Sequence, residues 1–170
     1  HPLAYGTGWR NWAEYARDEG LYENLGDPPS VAVVAENTGY GTSTSDRIIP
    51  QLEEGGWEVP LRLLPEQEQA DFADEISRIE NADVDAVLQV QVTPSAAASF
   101  AQSFVNQGLQ MHLWSTFIPS DGQWRDIMGD QAEGIVWVIV PDLLSPNADD
   151  FRDSFENEFD ITPTSIGGVA

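Results

Sequence analysis

Cysteine is absent from the 170 residues, and so is lysine: all seven basic side chains are arginine. Without cysteine there is no disulfide frame, no thiol nucleophile and no Cys-ligated zinc or iron–sulfur centre. Without lysine there is no Walker-A phosphate site, no Schiff-base chemistry and no lysine general base. Positive charge is scarce altogether, with 7 basic against 29 acidic residues and a net charge of −22. That balance opposes a groove lined with phosphate contacts and makes nucleic acid and anionic membranes poor partners. No apolar run approaches the roughly 18 residues of a membrane span. The His1-Pro2 start has no Met, basic segment or apolar segment of a leader, so the expectation is a processed or cut-out soluble piece.

What is present suffices for one domain. A hydrophobic content of 41%, with 10% aromatic, buries a core and argues against disorder. Spread evenly over a folded chain of this mass, the carboxylates would sit about 17 Å apart. Each pair then repels by only about 0.2 kcal/mol in water, but the pairs are many. Such a surface suits a salt-rich medium, the alternative being a generally acidic protein kept soluble by its charge.

Apolar, β-branched runs begin near Val31, Val59, Val84, Met111 and Ile135, about 24 to 28 residues apart. Between them lie helical patterns: Ile48, Ile49 and Leu52; Phe72, Ile76 and Ile79; Ala97, Phe100, Ala101, Phe104 and Val105. One more precedes the first run, with Trp9, Trp12, Ala13 and Ala16 aligned and Gly20 near its end, and one follows the last, with Phe151, Phe155 and Phe159 on one face. Strand and helix in alternation mean parallel βαβ units. The fold class is therefore α/β: a three-layer, doubly wound, flavodoxin-like sheet of five parallel strands in order 2-1-3-4-5.

The punctuation agrees with that alternation. Gly55-Gly56 and Gly108 close helices, Asp71 caps another, and Trp124 to Met128 form a short helix before the fifth strand. Pro50 falls inside a helical pattern and is expected to kink it. The last two runs are nearly continuous, as for strands covered on both faces, which places Trp137 in the core.

Ligands of an open parallel sheet sit outside the carboxyl ends of its strands. Those ends carry Glu36 to Gly41, Leu64-Pro65, Gln91 to Pro94, Ser115 to Phe117 and Pro141-Asp142. Hydroxyls, amides and rings of this kind recognise small molecules without transforming them. Gly39-Tyr40-Gly41 lacks the third glycine of a dinucleotide fingerprint and reads as a tight turn. His112 reads as a core or half-exposed side chain. Adjacent carboxylates such as Glu53-Glu54 read as solvated faces, no calcium loop is present, and no G-x-S-x-G elbow accompanies the serines. No catalytic residue, metal site or cofactor is expected.

The stretches Val31-Ala-Val-Val-Ala-Glu-Asn-Thr-Gly-Tyr40-Gly, Ala70-Asp-Phe72-Ala-Asp-Glu-Ile76-Ser-Arg-Ile79, Asp83-Val-Asp-Ala-Val-Leu88, Ala132-Glu-Gly134 and Phe151…Phe155…Phe159…Pro163, in that order, resemble the second lobe of type I periplasmic solute-binding proteins. The closest branch is the Leu/Ile/Val-binding group of ATP-driven (ABC) importers. The resemblance implies that residues 1–28 hold a leading helix, Thr7 to about Asn24, entering from a first lobe, and that residues 29–170 form one α/β ligand-binding lobe. It implies an extracytoplasmic protein, periplasmic or lipid-anchored, that binds a small molecule such as an amino acid, organic acid or amide, and whose partners are a membrane permease and the first lobe. A ligand-sensing lobe of a regulator or receptor with the same fold is the alternative. Carried over residue by residue, the resemblance makes Tyr40 the tyrosine that packs on the ligand, with Val92 where a second aromatic often stands and Thr93 beside it. Ser115 contributes a hydroxyl. Phe117 stands where amino-acid binders place the acidic partner of the ligand's ammonium group, and Glu36 and Asp142 are the acidic residues at strand ends that could replace it.

Overall fold

The computed structural model describes residues 2–22, 25–138 and 149–160. Five strands, β1 (Ser30–Ala35), β2 (Glu58–Leu63), β3 (Ala86–Val90), β4 (His112–Ser115) and β5 (Val136–Trp137), form one sheet in the order β2-β1-β3-β4-β5. Every pairing is parallel, as the alternation of strand and helix requires. Among the described residues six α-helices accompany them: α1 (Pro2–Asp18), α2 (Gly39–Glu54), α3 (Ala73–Ala82), α4 (Pro94–Asn106), α5 (Gly122–Met128) and α6 (Asp149–Phe159).

Because strand side chains alternate between faces, the sheet sorts its apolar residues into two cores. On one face Val31, Val33 and Leu88 meet Trp9 and Ala13 of α1 and Ile48 and Leu52 of α2. There the Trp114 ring stacks on Trp9 at 5.3 Å and takes Trp57 edge-on at 5.1 Å. On the other face Val34, Val87 and Leu113 meet Ile76 and Ile79 of α3, Phe100 and Phe104 of α4, and Trp124 and Met128 of α5. The leading helix is thus part of the core, not an appendage. It spans Pro2–Asp18, beginning before the Thr7 and stopping short of the Asn24 that the resemblance implies, and ending near Gly20 as the helical pattern has it; Gly20 turns into the left-handed region at φ 61° and ends the run.

Pro50 does not break α2, which continues from Gly39 to Glu54. The proline is exposed while Ile48 and Leu52 are buried, so the packed inner face carries the helix past the lost backbone bond. The Asp71 carboxylate accepts from the Ala73 N–H at 3.0 Å at the start of α3, as expected. The Arg17 guanidinium donates to the Gly55 carbonyl at 3.0 Å, placing a cation at the C-terminus of α2, where the helix dipole favours one.

Trp137 is a correction: it is 43% exposed and not in the core. β5 is the edge strand, and Val136 and Val138 pack on the tryptophan-rich core, so alternation turns the Trp137 indole to the opposite, less covered side. The rest of the fifth apolar run, Ile139 and Val140, lies outside the described residues, as do Pro141-Asp142, Pro163 and the chain from 161 on. In α6, Phe151, Phe155 and Phe159 do share one face, with ring centroids 5.8 and 4.7 Å apart.

Candidate functional site

The carboxyl edge of the sheet is built from the loops after β1, β3 and β4. After β1, Thr38 caps α2: its hydroxyl accepts from the Gly41 N–H at 3.1 Å. Gly41 is required by space, since a Cβ there would lie 2.0 Å from the Glu36 carbonyl oxygen, whereas Gly39 meets nothing within 4 Å. The segment expected as a tight turn is instead the first turn of α2, and its close approach to Glu36 requires the second glycine. The turn delivers Tyr40, half-buried, against Phe117 at 6.1 Å in an edge-to-face arrangement. Phe117 in turn meets Tyr5 of α1 at 5.9 Å. Burial pushes the Tyr40 phenol above its ordinary range, with a further rise from the neighbouring Tyr5. Thr44 moderates that rise, although the two hydroxyls do not meet in hydrogen-bond geometry. Tyr40 is therefore a neutral donor and acceptor throughout the physiological range.

After β3, Val92 and Thr93 are half-buried, and Pro94 opens α4. Thr93 makes no capping bond with its side chain; its backbone N–H donates instead to Glu36 Oε1 at 3.0 Å. Ser115 is placed differently from the other expected residues. Register sets Leu63, Val34, Gln89, Ser115 and Trp137 in one row across the sheet, on the face of α3 and α4, opposite the side where Tyr40 packs. The structure thus brings Tyr40 and Phe117 together with Thr93 nearby through Glu36, and sends Ser115 inward.

Sequence reasoning missed a buried polar layer beneath this edge. Glu36, Gln89, Gln91, Ser115 and Thr116 are all fully buried. The Gln89 amide donates to Gln91 Oε1 at 2.6 Å and to the Ala97 carbonyl at 2.7 Å. Glu36 Oε2, Gln89 Oε1, Gln91 Nε2 and the Ser115 and Thr116 hydroxyls have no protein partner. An unpaired buried polar group costs about 1–3 kcal/mol, so five at one edge mark a place not optimised for stability. The signal was in the sequence: two glutamines alternate within the apolar run from Val87 to Val92. Tyr5 carried no such signal, because its place depends on how α1 docks.

No cluster of His, Cys, Asp or Glu suited to a metal occurs among the described residues. His112 sits at the far, amino end of the sheet, stacked on Tyr22 at 3.6 Å. Burial lowers its pKa, and Asp85 partly offsets that. A cavity of about 520 Å³ opens beside it, lined by Gly26, Ser30, Asp85 and His112, where Asp85 already serves the chain's own backbone.

A family model described as periplasmic binding protein matches residues 4–169. Among curated proteins, none matches the chain. Solved structures do. A solute-binding protein of an ABC transporter from R. palustris, in complex with benzoate, is 19% identical, with a TM-score of 0.75 over 99% of this chain and 44% of that one. A leucine-binding protein from Thermotoga maritima MSB8 is 17% identical, with a TM-score of 0.75 over 97% of this chain and 45% of that one. A fatty acid ABC transporter substrate-binding protein from Thermomonospora curvata is 18% identical, with a TM-score of 0.68 over 94% of this chain and 41% of that one. The chain spans less than half the length of each. At such identities the likeness carries the fold, and three different ligands on one fold show that the fold does not choose the solute.

Proposed function

The chain belongs to the periplasmic binding protein family, and from that premise we propose that it is one ligand-binding lobe of an extracytoplasmic solute-binding protein serving an ATP-driven importer. On this reading α1 enters the lobe within residues 1–28, residues 29–170 form the lobe, and a permease is the partner. No described helix is long and apolar enough to cross a membrane, which accords with a binding component delivered to one. The observation that supports the reading most directly is the Tyr40–Phe117 pair, 6.1 Å apart, at the carboxyl edge of a doubly wound sheet, where such folds take their ligands.

Tyr40, Val92, Thr93 and Phe117 supply the contacts, and Ser115, buried below, supports the loop that carries Phe117. The solute is a neutral or carboxylate-bearing organic molecule with an apolar or aromatic body, and not a free α-amino acid. An ammonium group buried against Phe117 would lack its carboxylate partner, at a cost of several kcal/mol. Glu36 does not supply it from the surface, being fully buried.

A two-lobed clamp excludes water only when both halves close, so the test uses the full-length protein. Titration calorimetry with benzoate, benzamide and aliphatic acids, set against leucine, valine and phenylalanine, is expected to give micromolar binding in the first group and binding at least 100-fold weaker in the second. The reverse order would place an ammonium site where Phe117 stands and overturn the assignment.

A further inference from the structure

Glu36 is fully buried, yet only one of its two carboxyl oxygens has a protein partner. Burying a carboxyl group is costly unless it is bonded throughout, so its place calls for a reason other than filling space. Its bonds reach in two directions. The backbone N–H donates to the Val90 carbonyl at 3.1 Å, continuing the β1–β3 ladder one step past the strand end, and the backbone carbonyl accepts from the Thr38 N–H at 2.7 Å. The same carbonyl is the atom that Gly41 packs against, closely enough that no Cβ fits. The side chain then crosses to the next loop, where Oε1 accepts from the Thr93 N–H at 3.0 Å. One residue therefore fixes both the turn that carries Tyr40 and the N-terminus of α4, with Thr93 at its cap.

We propose that Glu36 is a positioning residue for the ligand face: a clamp that holds the start of α2, with Tyr40, and the Val92-Thr93 loop at a fixed spacing through its carboxyl oxygen. This rests on the reading of the carboxyl edge as the ligand face. The Thr93 N–H is one of the donors that a helix N-terminus offers to an anion. Glu36 occupies it from within, so a solute meets the α4 terminus with that donor taken and the Thr93 hydroxyl in set position. The clamp needs an acceptor at Oε1 and not a charge. Gln therefore keeps it and Leu removes it.

Hydrogen exchange followed residue by residue in the full-length protein tests this without any solute. In Glu36→Leu the Thr93 amide is expected to exchange at least tenfold faster, with the amides of residues 38–41 following, while Glu36→Gln stays within threefold of the parent. Binding of benzoate and of leucine supplies the second measurement. For whichever binds, Glu36→Leu is expected to weaken affinity at least tenfold and Glu36→Gln no more than threefold. Unchanged Thr93 exchange in Glu36→Leu, or failure of Gln to restore it, would overturn the clamp. If neither solute binds while the exchange results hold, the clamp stands and it is the choice of solute that falls.

Discussion

The two ends of the sheet each use one carboxylate to tie down loops, and they use it in opposite ways. At the amino end both Asp85 oxygens are engaged: Oδ1 accepts from the Gly26 N–H at 2.8 Å, and Oδ2 accepts from the Ser30 N–H at 2.7 Å and the Ser30 hydroxyl at 3.0 Å. At the carboxyl end Glu36 bonds Thr93 with one oxygen and leaves the other, with four neighbouring polar atoms, unpaired. A satisfied network stabilises, whereas each unpaired buried polar group costs stability. On the proposed reading the amino end holds the fold and the carboxyl end meets the ligand.

The comparison can be broken at either end. The largest effect is expected from Gly41→Ala, whose Cβ would collide with the Glu36 backbone; a loss of about 3 kcal/mol or more in urea unfolding is expected. Asp85→Ala comes next. It removes the bonds to the exposed Gly26 N–H and the half-buried Ser30 N–H and hydroxyl and should cost about 1–2 kcal/mol in unfolding, with solute affinity in the full-length protein unchanged. If Asp85→Ala weakened binding as much as it weakened folding, the two ends would not be separable.

Phe117→Ala should show the opposite profile, with affinity for an aromatic acid or amide down about tenfold or more, and stability down about 1 kcal/mol because the ring is only half-buried. Salt should act on both ends alike. Carboxylate repulsion is spread over the whole surface, so raising chloride from roughly 0.01 to 1 M shortens the screening length from about 30 to about 3 Å. Tm should then climb by several degrees in the parent and equally in Asp85→Ala; a flat curve would remove surface repulsion as a significant factor.

The smallest effect concerns His112 at the amino end. Its pKa is lowered in the fold by burial, so the unfolded chain binds the proton more readily. Stability contributed by the neutral ring is present above the unfolded value of about 6.5 and is lost as the pH falls below it. His112→Gln should therefore lose less stability than the parent between pH 7 and pH 5.5, a difference readable in paired melting curves.

How much of this was legible in the sequence depends on what each residue answers to. The places of strands and helices followed from apolar periodicity, because Val31, Leu88 and Ile76 respond to local pattern, and the strand order followed from doubly wound topology. Around Pro50 packing carries the helical run through where propensity favours an interruption, and Trp137 misled because an apolar run does not reveal which strand lies at the sheet edge. At the carboxyl edge, the places of Tyr40 and Phe117 after β1 and β4 were readable. The inward direction of Ser115 and the role of Tyr5 were not, since the first depends on register and the second on the docking of a helix far away in sequence. Glu36 was visible as a residue at a strand end, but its bond to Thr93 spans two loops that only the fold brings together.

The most direct test compares the two ends in one experiment. Backbone amide shifts of the full-length protein are followed during titration with benzoate, or with whichever solute of the calorimetric panel binds most tightly. The expected result is that shifts concentrate at Tyr40, Val92, Thr93 and Phe117 while Gly26, Ser30, Asp85 and His112 stay still. Shifts gathered at Gly26, Ser30 and His112, with the carboxyl edge unmoved, would contradict the assignment of the ligand face.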